Sequence, residues 1–93
     1  MIHFVVHDEN DSAGVVVIEG VKAGQELSGW VMDQDKTIKT KVQADIPIGH
    51  KFALKNLAQG ATVMKYGHDI GKTVAPIKIG EHLHAHNVKT KRW

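Results

Sequence analysis

The sequence predicts an all-β domain of long hairpins, with at most one short helical turn. Three observations carry that reading. No segment repeats its apolar residues with a helical period over three turns. Short β-branched runs bounded by glycine recur along the whole chain. A pattern of apolar-x-x-Gly-x-x-apolar occurs at residues 21–27, 57–63 and 77–83. Each copy reads as a tight turn in which glycine takes a positive φ between two apolar anchors that dip into the core.

Strands are expected, in order, over "IHFVVH", "GVVVIE", "LSGWVM", "KTIKTKV", "HKFAL", "TVMKYG", "IGKTVAPI" and "HLHAH". In "KTIKTKV" the residues Ile38, Thr40 and Val42 fall on one face, and Lys39 and Lys41 on the other. "MDQDK" before it reads as the hairpin turn back to "LSGWVM". The stretch "ALKNLAQG" has room for one helical turn and no more. Residues 15–18 precede the first glycine turn as residues 51–54 precede the second, an offset of 36. That regularity indicates a duplicated strand-turn-strand unit, folded into a compact pseudo-symmetric domain and not a solenoid.

Ninety-three residues give a single domain over 1–93, since a chain of this length has no room for two cores. With no cysteine, a disulfide framework, a thiolate metal site and a cysteine nucleophile are excluded. The opening "MIHFVVHDEN" has neither a charged leader nor a long apolar run, so no membrane partner is expected and the cytoplasm is the expected compartment. The net charge is +2, with basic residues scattered except in the tail "KTKRW". That tail reads as a solvated terminus or a docking peptide, not as a nucleic-acid contact, because no stacking aromatics accompany a basic groove.

The candidates for chemistry are imidazoles. In "EHLHAHN", His82, His84 and His86 alternate with Leu83 and Ala85, so on a strand the three share one face. Neighbouring ones stand about 6.6 Å apart along the strand and the outer pair about 13 Å. Two neighbours can close on one ion with bonds of about 2.0–2.1 Å, but three on a straight strand cannot. A metal is therefore expected on His84 with either His82 or His86, the other ligands coming from elsewhere; a polar, solvated strand face is the competing reading. Asn87 is either an orienting carboxamide or a turn residue. His50 leaves the turn Ile46-Pro47-Ile48-Gly49 beside Lys51. Such a pair suits acid/base work next to an anionic substrate, and suits an exposed strand start equally well. His68 in "YGHDIG" reads as part of a hairpin turn. The loop carrying Asp8, Glu9 and Asp11 reads as an acidic turn, because its spacing matches no calcium loop.

The blocks "IPIGHKFAL", "VMKYGHDIG" and "GEHLHAHN" stand in the order found in the small SAF-type domain of the altronate and galactarate dehydratases. The chain closely resembles that family over residues 8 to 92. The resemblance implies a β-clip fold and a domain that works with a much larger catalytic portion. With the chain stopping at Trp93, it leads us to expect a separately encoded small subunit acting with a larger (beta) subunit. The opening "MIHFVVHDENDSAGVVVIEGVKAGQELSGW" resembles the stand-alone branch, which implies elimination of sulfite from (2R)-3-sulfolactate to give pyruvate. The alternative is loss of water from a sugar acid. Either substrate is a small 2-hydroxy acid that loses its C2 proton and a group on C3. The resemblance further implies a divalent metal, Fe(II) ahead of Zn or Mn, with His84 and His86 as ligands. It gives His50 an acid/base role, Lys51 a catalytic role and a substrate anion, and Asn87 a place in substrate binding.

Overall fold

The computed structural model describes residues 1–65, 68–84 and 87–89, and among these it contains nine strands and no helix. They are β1 (Phe4–Val6), β2 (Ala13–Val16), β3 (Glu26–Val31), β4 (Lys36–Lys41), β5 (Lys51–Ala53), β6 (Thr62–Lys65), β7 (His68–Thr73), β8 (His82–Leu83) and β9 (Val88–Lys89). A six-stranded sheet runs β4-β3-β1-β2-β5-β8, and a three-stranded sheet runs β6-β7-β9. Every pairing is antiparallel except β1 with β3. The β3–β4 hairpin pairs six residues on each side, and Asp35 in its turn takes φ 46.

The three predicted glycine turns form as expected, with Gly24, Gly60 and Gly80 at φ 85, 80 and 87. A fourth, built on Ile46, Gly49 (φ 83) and Phe52, has the same geometry. In all four the residue after the glycine donates its N–H to the carbonyl three residues back: Gln25 to Lys22, His50 to Pro47, Ala61 to Ala58 and Glu81 to Lys78. The first anchors pair two by two, Val21 with Ile46 and Leu57 with Ile77. The second anchors, Leu27, Phe52, Val63 and Leu83, are all buried. A strand follows each turn, so the four copies launch β3, β5, β6 and β8.

Alternation along β5 sends its side chains to two cores. Phe52 enters a cluster with Phe4, Val6, Val16, Leu27 and Val31, while Ala53 enters a second with Ala13, Leu57, Val63, Ile77 and Leu83. Phe4 and Phe52 meet edge to face at 4.8 Å and 81°, the arrangement that aromatic quadrupoles favour. The Phe4 ring lies over Gly29, where any Cβ would overlap it.

The sequence left room for one helical turn at most and the described residues use none, while three other local expectations differ from the structure. The stretch "ALKNLAQG" forms no helical turn, because the N–H of Leu57 is bonded to the carbonyl of Ile77 and returns the favour. "YGHDIG" is not wholly a turn, since β7 has already begun at His68. Gly71 within it sits in the strand at φ 151, where a Cβ would overlap the Lys89 carbonyl of the crossing strand. "HLHAH" supplies a strand of only two residues, His82–Leu83. Finally, Lys89 of the tail belongs with Val88 to β9, which pairs with Lys72 and Thr73.

Candidate functional site

Antiparallel pairing of β5 with β8 sets Lys51 opposite Leu83 and Phe52 opposite His82. Leu83 is anchored in the second core, so His82 and His84 on either side of it turn to the opposite face. His50, two residues before Phe52, shares that face. It ends the fourth glycine turn, and its carbonyl accepts from Val16 N–H at 3.0 Å, which holds its backbone against β2.

The three imidazoles meet there. His50 Nδ1 lies 2.8 Å from His82 Nε2, a hydrogen bond in which one nitrogen carries the proton and the other accepts it. The rings are close to parallel, with centroids 5.0 Å apart for His50–His82, 4.4 Å for His50–His84 and 5.7 Å for His82–His84. One ligand nitrogen from each lies within 4.8 Å of the others. His50 and His82 are half-buried and His84 is exposed. Two hollows flank the trio. An open cleft of about 870 Å³ is lined by Gln43, Asn56, Lys78, Glu81, His82 and Asn87. A cavity of about 230 Å³ is lined by Lys51, His84, Ile70, Val63, Leu83 and Val88.

The donor set fits a divalent first-row ion. Bonds of about 2.0–2.1 Å at right angles separate two ligand nitrogens by about 2.8–3.0 Å, and His50 and His82 already stand at 2.8 Å. Transfer of the shared proton to the outer nitrogen of its own ring leaves two neutral imidazoles with both facing lone pairs free for an ion. Imidazole suits iron and zinc alike.

The structure thus brings His50 and His84 together with His82, while His86 lies outside the described residues. Lys51 leaves the opposite face of β5 and reaches His84 through the smaller cavity. Asn87 lines the larger cleft, but both ends of its carboxamide are engaged by backbone. Its Oδ1 accepts from His84 N–H at 3.0 Å and its Nδ2 donates to the His82 carbonyl at 2.7 Å. The meeting of His50 with His82 is the feature that sequence reasoning missed. Its signal was the fourth glycine turn at 46–52, which places His50 as Glu81 is placed in the copy before His82. Two other sequence features have structural uses. His3 Nδ1 accepts from Ser28 N–H at 3.0 Å, and the acidic loop closes on itself through Asn10 N–H to Asp8 Oδ1 at 2.8 Å.

The chain resembles known proteins over nearly its whole length. It is 62% identical over 92 residues to the (2R)-sulfolactate sulfo-lyase subunit alpha of Chromohalobacter salexigens, covering 99% of this chain and 98% of that one. It is 52% identical over 63 residues to the subunit of the same name from Paracoccus pantotrophus, covering 68% of this chain and 94% of that one. Altronate dehydratase of Escherichia coli is 43% identical over 75 residues, which are 81% of this chain and 14% of that protein. The profile of the altronate/galactarate dehydratase SAF domain matches residues 2–91. With that match, the four glycine turns and a helix-free pair of sheets, the chain belongs to the altronate/galactarate dehydratase SAF domain family.

Proposed function

We propose that this chain is the small subunit of a carbon–sulfur lyase that eliminates sulfite from (2R)-3-sulfolactate to give pyruvate, acting with a larger catalytic (beta) subunit. The observation that carries the proposal is the 62% identity, end to end, with a (2R)-sulfolactate sulfo-lyase subunit alpha. In the reaction a base takes the C2 proton, the C3–S bond breaks with its electron pair leaving as sulfite, and the enol left behind becomes pyruvate. The difficult step is the first, because it places a second negative charge beside an existing carboxylate.

This chain's contribution follows from its site. His50, His82 and His84 hold a divalent metal, Fe(II) ahead of Zn or Mn. Bound there, the ion supplies Lewis-acid stabilisation of the charge that develops between the carboxylate and the C2 oxygen. Three neutral imidazoles leave a doubly charged ion its full charge, which suits that task. His50 is assigned to the metal and not to acid/base work because its Nδ1 faces His82 across 2.8 Å. His86, which the family resemblance names as a ligand beside His84, lies outside the described residues. Lys51, which lines the smaller cavity with His84, pairs with the sulfonate or carboxylate of the substrate. A cytoplasmic location completes the proposal; among the described residues no helix is long and apolar enough to cross a membrane.

The test is the complex of this chain with its partner, offered (2R)-3-sulfolactate and, separately, altronate and galactarate. Sulfite and pyruvate in equal amounts from sulfolactate, and neither from this chain alone, is the expected result. A keto-deoxy sugar acid without sulfite would instead make the chain a dehydratase subunit, the reading to which the 43% identity with altronate dehydratase points.

A further inference from the structure

The imidazole trio depends on a segment that leaves its strand pairing after Leu83. β8 is two residues long, and its pairing with β5 covers only Leu83 and His82. His84, whose ring stacks on His50, lies beyond the strand with no ladder partner for its N–H. The side chain of Asn87 takes that place. Its Oδ1 accepts from the His84 N–H at 3.0 Å, and its Nδ2 donates to the His82 carbonyl at 2.7 Å. One carboxamide therefore ties the backbone on both sides of Leu83. The main chain closes the same loop, since the His84 carbonyl accepts from Asn87 N–H at 3.1 Å and from Val88 N–H at 3.0 Å. Val88 then enters β9 beside Thr73, which fixes Asn87 from behind.

We infer that Asn87 is a positioning residue, whose carboxamide holds His82 and His84 at the spacing and facing at which they meet His50. The chemistry of the side chain is specific to the task. Bridging an N–H and a carbonyl two residues apart needs one acceptor and one donor on a short arm. Only asparagine carries both at that length. Aspartate keeps the acceptor toward His84 and loses the donor toward His82. Alanine loses both. Glutamine carries both on an arm one methylene too long. This goes beyond the lyase reading, and rests on it only where metal binding is the readout.

The experiment compares the 93-residue chain with N87A and N87D, first without metal and then with Co²⁺ as probe. In the metal-free chain the imidazole nitrogen and proton resonances of His50, His82 and His84 are followed by NMR. N87A is expected to move all three and to abolish the bonded proton between His50 and His82. N87D is expected to move those of His82 and His50 more than those of His84. With Co²⁺, N87A is expected to bind about tenfold or more weakly, the usual effect of removing a residue that orients ligands, and N87D to fall between. Unchanged imidazole resonances in a folded N87A would overturn the inference. If N87A does not fold, N87D decides: resonances and Co²⁺ affinity within twofold of the parent would overturn it equally. Failure of the parent chain to take up Co²⁺ would count against the metal reading alone, since the metal-free NMR comparison still reads Asn87.

Discussion

His50→Ala is expected to weaken binding of Fe²⁺ or Co²⁺ by about 100-fold and to lower turnover of the assembled enzyme by about 10²–10⁴-fold, without unfolding the chain. Isothermal titration gives the first quantity, sulfite release at saturating and limiting metal the second, and thermal unfolding the third. His50 is half-buried at the end of a turn whose fold rests on Gly49 and on the bonds of its backbone, none of which uses the imidazole. Truncation should therefore cost no more than about 1 kcal/mol of stability. What it removes is one of three neutral donors and the partner 2.8 Å from His82 Nε2. The competing role for His50, as the base, makes a different forecast. Metal affinity would then be untouched while turnover fell, and excess metal would restore nothing. Loss of both, with partial recovery at high metal, is the pattern expected of a ligand. His84→Ala should behave in the same way, because its ring completes the trio from the exposed side.

Gly80→Ala should be the most damaging alanine substitution among the four glycine turns. Gly80 has φ 87, a conformation that costs other residues about 1–2 kcal/mol. Beyond that, a Cβ there would overlap the Lys41 carbonyl oxygen and stand 3.2 Å from Gln43 N. The glycine cannot shift to make room, since its own N–H bonds to the Ala53 carbonyl and its carbonyl accepts from Gln43 N–H, both at 2.8 Å. Gly24 and Gly60 supply internal controls. Their φ values are 85 and 80, yet nothing lies within 4 Å of a Cβ at either position. Alanine there should cost the backbone term only, whereas at Gly80 the steric term adds to it, for about 3 kcal/mol or more. For a domain of this size each kcal/mol moves the unfolding midpoint by about 4–8 °C. The midpoints should therefore fall modestly for G24A and G60A and by more than about 12 °C for G80A. Since Gly80 lies two residues before His82, G80A should also perturb metal binding at temperatures where it remains folded. Equal midpoints for the three variants would contradict the close packing of this turn on the end of β4.

Much of the fold was legible in the sequence because the same short device recurs. Glycine between two apolar anchors predicts a positive φ wherever it occurs, and Gly24, Gly60 and Gly80 adopt one. The copy at Gly49 obeys the same rule, but Pro47 and His50 made it look like a distinct turn. Alternation was reliable along β4, where Ile38, Thr40 and Val42 are the less exposed face. Strand ends were not legible, because they depend on competitors for backbone groups. β8 stops after Leu83 since the His84 N–H goes to a side chain, Asn87 Oδ1. The one helical turn for which "ALKNLAQG" had room does not form, because Leu57 bridges to Ile77, twenty residues away and weak in local signal.

The site divides in the same way. Alternation around Leu83 was enough to put His82 and His84 on one face. That His50 stands opposite them depends on pairing β5 with β8, a contact across 32 residues between His50 and His82. No local pattern encodes it. Asn87 was visible as a residue of interest, yet its two backbone bonds exist only once the turn after His84 has closed.

On the proposed function, this chain supplies metal ligands to an active site completed by its partner. The most direct measurement is a crystal of the assembled complex loaded with Fe²⁺, with the ion located by anomalous scattering at the iron edge. A peak is expected within bonding distance, about 2.0–2.2 Å, of imidazole nitrogens of His50, His82 and His84. An iron peak ligated wholly by the larger subunit, with this trio still joined by its own hydrogen bond, would contradict it.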